Sequence, residues 1–472
     1  MDETRNELKY FKYKSYTRKN LEEIRELKNL PEQLIEDVKL VSLVLPFRTN
    51  SYVLEELIDW KKIPNDPIFK INFPSKKMLE EEHYDILRKS IESGDSDLKI
   101  SNIVSKIHHQ LNPHPGGQVD YNIPIHKGEK LNGIQHKYRE TVLAFPSEGQ
   151  VCHAFCTYCF RWAQFVGQKD FKIVFSEPEK LVEYIQESEE VQDILFTGGD
   201  PMIMKAMKLS KYIKPILEAK IPHLNSIRIG TKALTYWPYR FISDSDTEEI
   251  LQLFNEIIDS NLHLTIIANM NHPNELKTEA FRKAINKIYE TGAVIRTQSP
   301  LLKNINDNAN VWVKLWKKQV NLGMVPYYMF IVRNTGAKKF FEVPLVEALR
   351  IFKRAYRRIS GLGRTVKGPI MSTTLGKVKV AGITNIGNKR VIVLQFIQGR
   401  NPNWVGRPFF VKYNTKATWF NELEPAFNER FWFEYDLSKY LAPYSRKIVQ
   451  DINEIKHKSE QIKNETQGSI KT

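Results

Sequence analysis

A chain of 472 residues, 42% of them hydrophobic, has enough apolar surface for two to three domains, or one large α/β domain with appendages, which excludes a disordered or fibrous protein. Lys and Arg outnumber Asp and Glu by 70 to 55, and the formal charge of +15 favours anionic partners without choosing among them. No run approaches the roughly 18 consecutive apolar residues of a membrane span, the charged N-terminal stretch lacks the apolar core of a secretory signal, and three cysteines suit a reducing compartment, so a cytoplasmic protein with no membrane partner is expected.

Apolar residues near the N-terminus recur at helical spacing, as in Leu21, Ile24, Leu27 and Leu30, and Met78–Ser93 reads as another helix. His114-Pro115-Gly116-Gly117 is a turn, and residues 1–135 are expected to form a mostly helical N-terminal region. From Tyr138 onward the texture changes. Candidate strands are Thr141–Phe145, Asp193–Thr197, Ser226–Thr231, His263–Asn269, Val294–Ser299 and Pro326–Val332. Helical patterns fall between and after them, at Glu179–Glu189, Met204–Ala219, Thr247–Ser260, Lys277–Thr291, Asn310–Leu322 and Leu345–Ile359. Such alternation implies parallel strands joined by right-handed crossovers. A partial (β/α)6 barrel over residues 136–359 is the first expectation and a doubly wound sheet the second. In either architecture chemistry gathers at the C-terminal ends of the strands. Beyond Ser360-Gly361, strand patterns at Gly376–Ala381, Arg390–Phe396 and Pro408–Tyr413 mark a β-containing region over 360–454, followed by a polar tail over 455–472. The basic runs Lys9–Lys19 and Lys353–Arg358 read as solvated faces, which leaves nucleic acid a minority partner. Homo-oligomerisation is left open.

The segment Cys152-His-Ala-Phe-Cys156-Thr-Tyr-Cys159 holds all three cysteines in a loop after the first barrel strand. Three thiolates supply three corners of a cubane [4Fe-4S] cluster and leave one iron open to a chelating co-substrate. A zinc site recruiting His153, and a purely structural role, are the alternatives. The next strand ends in Gly198-Gly199-Asp200-Pro201. Paired glycines there let backbone amides approach a ligand, while Asp200 also reads as a helix cap in a tight turn.

Taken together these residues resemble the radical S-adenosylmethionine superfamily, and within it the lysine 2,3-aminomutase-like family, from about His114 to Gln398. The cysteine loop and the Gly-Gly-Asp turn match the family in order and spacing. So do Arg228-Ile-Gly-Thr231, Asn271-His-Pro-Asn-Glu275, Gln298-Ser299 with Leu301-Leu302, Asn306-Asp307 and Pro326-Tyr-Tyr328. The resemblance implies an enzyme that binds S-adenosylmethionine at the cluster held by Cys152, Cys156 and Cys159, with Gly198, Gly199 and Asp200 beside it. Tyr158, where the aminomutase has histidine, would lie against the adenosine. Arg161 would hold a substrate carboxylate, a task that suits a guanidinium fork; a surface ion pair is its other reading. Family members bind pyridoxal 5′-phosphate covalently through a lysine. An ungapped match from Ser360-Gly361 places Lys377 there, with Lys367 the alternative at the cost of a larger gap. An exposed strand lysine is the plain reading of Lys377. The family's glycine run is reduced here to Gly376, and a phosphate-side arginine becomes Thr141, although Lys137 and Tyr138 fit. Lysine-specific members meet the distant ammonium of their substrate with two aspartates. Arg333 stands at the first of those positions, so free lysine is a poor candidate and a substrate with a carboxylate or phosphate a better one, unless Arg333 points to solvent.

The resemblance therefore implies a one-electron reductant, cleavage of S-adenosylmethionine, hydrogen abstraction, and 1,2-amino migration on an amino acid other than lysine. An isomerase of this kind has two rivals. One keeps the radical chemistry without pyridoxal phosphate and acts on a small molecule, protein or RNA. The other is a basic nucleic-acid-binding protein with a structural metal site.

Overall fold

The computed structural model describes residues 11–112, 122–167, 173–434 and 436; the expected turn at His114 to Gly117 and the tail over 455–472 lie outside them. Its centre is one eleven-stranded sheet whose strands neighbour each other strictly in chain order. These are β1 (Ile134–Tyr138), β2 (Thr141–Ala144), β3 (Asp193–Phe196), β4 (Ser226–Thr231), β5 (His263–Asn269), β6 (Val294–Leu301), β7 (Val325–Ile331), β8 (Lys367–Ser372), β9 (Gly376–Ile386), β10 (Lys389–Gly399) and β11 (Pro408–Lys412). Strands β2 to β8 are all parallel, while β1 pairs antiparallel to β2 and β8 to β11 form an antiparallel meander.

Each of the six barrel strands β2 to β7 is followed by a helix: Pro178–Glu187, Ala206–Glu218, Thr247–Asp259, Glu279–Glu290, Ala309–Asn321 and Leu345–Tyr356. Their apolar faces bury Leu181, Leu209, Phe254, Phe281, Trp316 and Leu349 against the sheet in one continuous core. The strands alternate accordingly. Ile194 and Phe196, Ile227 and Ile229, and Ile295 are fully buried towards the helices, while Asp193, Ser226, Arg228, Arg296 and Gln298 on the other face are only half-buried. That second face lines an open lumen. A partial (β/α)6 barrel is thus the observed core; sequential strand order rules out the doubly wound alternative, in which the order reverses.

The meander continues the barrel sheet rather than starting another. Gly387, with φ +55°, and Asn388 make the two-residue turn that joins β9 to β10. The sheet curls until its margins approach: Lys137 on β1 donates to the carbonyl of Thr373 between β8 and β9, and the Lys377 Nζ lies 4.8 Å from the Tyr138 ring centroid.

The N-terminal region contains the helices Glu32–Val41, Glu81–Glu92 and Asp97–Leu111. The Leu21, Ile24 and Leu27 pattern, expected as ordinary helix, forms two 3-10 turns instead, Arg18–Glu23 and Arg25–Asn29. The spacing is three throughout, which is the 3-10 period, so all three side chains fall on one buried edge. A second core joins this region to Ala154, Trp162, Tyr236, Trp237, Leu302 and Phe341, residues of the loops at the barrel mouth. The N-terminal region therefore roofs the C-terminal ends of the strands. No helix among the described residues is long and apolar enough to cross a membrane.

Candidate active site

The cysteine loop leaves β2 and is clamped from above by the backbone of the roof. Phe155 N donates to Arg48 O at 2.8 Å, Thr157 N to Ile71 O at 2.9 Å, and Thr157 Oγ1 to Lys70 O at 2.9 Å. Asn50 Nδ2 reaches both His153 O at 3.2 Å and Tyr236 O at 3.0 Å. Cys152, Cys156 and Cys159 are free and half-buried thiols. Burial raises the pKa of each, and for Cys152 the Asp200 carboxylate and the other two sulfurs add to the rise. Three neighbouring thiolates without a cation would repel one another, so the donor set asks for a cationic centre. Among the described residues no three His, Cys, Asp or Glu side chains converge tightly enough to hold one metal ion. The His153 ring is buried edge-on against Tyr13, with burial holding its pKa down to about 3. Three soft thiol donors and no converging imidazole fit an iron–sulfur cluster, in which each thiolate serves a different iron, better than a mononuclear zinc.

The Gly-Gly-Asp turn packs directly on the approach to this loop. A Cβ on Gly198 would meet Gln150 Nε2 at 2.5 Å, and one on Gly199 would meet Val151 N at 2.5 Å. The space that the glycines were expected to keep for a ligand is thus filled by the chain entering the cysteine loop. Asp200 is the cap that its position suggests: its carboxylate accepts from Met202 N at 3.0 Å, Thr231 Oγ1 at 2.7 Å and Lys232 N at 2.8 Å. With both oxygens engaged, what this turn presents to a co-substrate is its shape and its backbone, not a free carboxylate.

Arg161 is no surface ion pair. Its Nη1 donates to Gly198 O at 2.6 Å, and its guanidinium lies 4.4 Å from the Phe145 ring and 5.3 Å from the Phe160 ring. Arg333 approaches the same Phe160 ring at 5.0 Å. Burial lowers both guanidinium pKa values, that of Arg161 to about 10, and no described acid forms an ion pair with either. Arg333 therefore does not point to open solvent.

Lys377 is not an exposed strand lysine either. Its Nζ sits between the Tyr138 and Tyr328 rings, 4.8 and 5.0 Å from their centroids, and donates to Gln398 Oε1. Burial, with help from the Arg228 guanidinium, brings its pKa down to about 7. Lys367, the rival, is exposed at the start of β8. Beside Lys377 lie Lys137, whose pKa burial and then Arg400, Arg333 and Lys377 push far down, and Arg400, which donates to Thr374 O at 2.9 Å and to Asn122. The acid that faces this cluster, Asp193, is already matched to Arg228, Ser226 and Thr141. An amine whose pKa is down to about 7, set between aromatic rings and beside Lys137 and Arg400, fits an aldehyde cofactor carrying a phosphate. Gly376, by contrast, is a packing residue: a Cβ there would meet Gln398 O at 2.3 Å.

Several functional candidates escaped sequence reasoning. Lys232 joins Glu275 Oε2 at 2.5 Å and Asn271 Oδ1 at 2.9 Å, and Tyr158 donates to that same Asn271 Oδ1 at 2.6 Å. This network ties the cysteine loop to the ends of β4 and β5. Tyr158 and the Asn271-to-Glu275 stretch stood out in the sequence, but the only signal for Lys232 was its position directly after β4.

Among curated proteins, one from Aquifex aeolicus named "Putative L-lysine 2,3-aminomutase" is 30% identical over 400 residues, covering 85% of this chain and 93% of its own length. The chain belongs to the lysine 2,3-aminomutase family. The L-lysine 2,3-aminomutase of Escherichia coli is 30% identical over 52% of this chain and 68% of its own length. That of Haemophilus influenzae is also 30% identical, and the chain spans only 63% of it. No family model matches the chain. Among solved structures, Streptococcus suis SuiB bound to its precursor peptide SuiA superposes with a TM-score of 0.33 at 12% identity over 58% of each chain, too distant to bear on the site. Membership of the aminomutase family makes the chain an enzyme, while its substrate has to be read from the site itself.

Proposed function

We propose that this enzyme moves an amino group between neighbouring carbons of an amino acid whose side chain is not a free ammonium. It would use a [4Fe-4S] cluster on Cys152, Cys156 and Cys159, S-adenosylmethionine at the open iron, pyridoxal phosphate on Lys377 and an external one-electron reductant. The observation that carries the reading is the pair of buried guanidinium groups, Arg161 and Arg333, which meet on the Phe160 ring with no ion pair to an acid among the described residues. A second ammonium from lysine would enter that field against repulsion.

When bound, the cluster and S-adenosylmethionine supply a carbon radical that abstracts hydrogen, and pyridoxal phosphate supplies the carbonyl that carries nitrogen between carbons. The protein's residues do the rest. Arg161, held by Gly198 O and Phe145, offers its remaining N–H groups to the α-carboxylate and fixes the carbon to be attacked. With its pKa down to about 7, a substantial share of the Lys377 amine is unprotonated near neutral pH and so nucleophilic towards an aldehyde. Lys137 and Arg400 lie where a phosphate would be neutralised, and Arg333 faces the far end of the substrate. The roof over the strand ends keeps water from the radical.

The test is a panel of α-amino acids incubated anaerobically with reconstituted enzyme, dithionite and S-adenosylmethionine, with β-amino products read by mass spectrometry. Turnover of an acidic or neutral amino acid in preference to lysine is expected. Exclusive turnover of lysine overturns the substrate reading. Formation of 5′-deoxyadenosine without any β-amino product points to the radical chemistry without pyridoxal phosphate.

A further inference from the structure

The hydrogen bond between Lys377 and Gln398 depends on an irregularity in the sheet. Along β10, Ile392, Leu394 and Phe396 point into the core, and the same period would carry Gln398 there next. On β9, Val378 and Val380 share that face, opposite Phe396 and Leu394, while Lys377 faces the lumen. The pairing slips between these residues. Val378 lies opposite Phe396 but Lys377 lies opposite Gln398, which leaves Ile397 as an extra residue on β10. Such a bulge turns the residue beyond it to the other face of the sheet. Gln398 therefore leaves the core face, and its Oε1 accepts from Lys377 Nζ. Gly376 makes room for the slip, because a Cβ there would meet Gln398 O at 2.3 Å and Gly399 Cα at 2.9 Å. The same Nζ lies 4.8 Å from the Tyr138 ring centroid and 5.0 Å from that of Tyr328.

We propose that the bulge at Ile397 serves to aim Gln398 at Lys377, and that Gln398 is a positioning residue holding the amine between the two rings through an uncharged acceptor. The inference rests on the reading of Lys377 as the lysine that captures the aldehyde cofactor. An amide oxygen accepts from an ammonium and from a neutral amine alike, so Nζ keeps its place when it loses the proton, and the neutral form is the one that attacks an aldehyde. A carboxylate in the same place would hold the amine as well but would favour the ammonium. The other charges that bear on this nitrogen are Arg228 on β4, Lys367 on β8 and Lys137 on β1, opposed by Asp193 on β3. A substitution at residue 398 leaves all four in place.

The experiment uses full-length, anaerobically reconstituted protein without added pyridoxal phosphate. Trace acetylation with acetic anhydride over a range of pH, read by mass spectrometry on the peptide that carries Lys377, gives the titration midpoint of this one amine. In Gln398→Glu the midpoint should rise by about one to two units, so that labelling at pH 7 falls roughly five- to fiftyfold. In Gln398→Leu, which accepts no hydrogen bond, the midpoint should not rise, but capture of pyridoxal phosphate, trapped on Lys377 with borohydride, should fall about tenfold as the amine loses its place. The leucine variant carries the test if Gln398→Glu does not fold. A purely structural role would lower the thermal midpoint and leave both the labelling profile and the capture alone. A wild-type midpoint in folded Gln398→Glu overturns the proposal, as does wild-type capture in folded Gln398→Leu. Wild-type protein that labels at Lys377 yet captures no pyridoxal phosphate removes the cofactor reading instead, and the midpoint in Gln398→Glu still decides what Gln398 does.

Discussion

The cysteine loop and the β8–β9 hairpin face one chamber, but they are built differently. The loop carries its three thiols within eight residues, and the roof only holds it in place through bonds to Arg48, Asn50, Lys70 and Ile71. The hairpin offers the candidate site one buried lysine, Lys377. Everything unusual about that lysine comes from distant strands: Tyr138 from β1, Tyr328 from β7, Arg228 from β4 and Gln398 from β10. A site local in sequence keeps its chemistry as long as the loop survives. A site assembled from five strands changes whenever one contributor changes.

The largest effect is expected at the loop. Replacing Cys152, Cys156 or Cys159 singly with Ser should abolish iron retention and reduce 5′-deoxyadenosine formation to background, with circular dichroism unchanged. Full iron content in any one variant would show that the loop is not the cluster site. At the hairpin, Lys377→Ala should keep iron and S-adenosylmethionine cleavage but lose the borohydride-trapped pyridoxal phosphate adduct. The same lysine fixes a pH dependence. With its pKa near 7 rather than the usual value of about 10.4, capture of pyridoxal phosphate by the apoprotein should rise through pH 7. The sign for stability follows: between about 7 and 10.4 the unfolded chain binds the proton that the folded one has lost, so the apoprotein gains stability as pH rises across that window. An adduct that persists in Lys377→Ala and disappears in Lys367→Ala would reassign the hairpin.

Arg333 gives a smaller and more selective effect. Arg333→Ala removes one partner of a buried charge contact, roughly 2–5 kcal/mol, and should raise KM for an acidic substrate about a hundredfold while leaving the trapped adduct intact. Arg333→Asp should shift preference towards side chains bearing an ammonium. Unchanged preference in both variants would place the side-chain end of the substrate elsewhere in the chamber.

Legibility followed the same division. The six βα units could be read because each strand and helix repeats its own period, and their observed ends coincide with expectation or differ from it by at most three residues. The helix Asp97–Leu111 was missed although Ser96 caps it and Ile100, Ile103, Val104 and Ile107 form its stripe. Strand β8 was missed because Gly368-Pro369 interrupts its apolar run, and proline argues against a strand. Within the site the thiols were plain from spacing. The meaning of Gly198 and Gly199 was not, since the backbone they accommodate lies near residue 150 rather than on a ligand. Lys232 carries only the weak signal of its place directly after β4. It matters through a partner 39 residues away in the chain, Asn271.

The mildest prediction separates a roof that covers from a roof that clamps. Asn50 is fully buried; its Oδ1 accepts from Val53 N at 3.0 Å and its Nδ2 donates to the carbonyls of His153 and Tyr236. Asn50→Ala strips those groups of this partner inside the protein, a cost of roughly 1–3 kcal/mol, and should lower the thermal midpoint by a few degrees. Asn50→Asp restores the acceptor for Val53 N but not the donor to the two carbonyls, so any part of the loss it fails to recover belongs to the clamp on the cysteine loop. If that part is real, chelators should strip iron faster from Asn50→Asp than from wild type, although the hydrogen bonds of Asn50 go to His153, Tyr236 and Val53. Equal chelation rates would mean that the loop holds its shape unaided, and that the N-terminal region serves the chamber by excluding water alone.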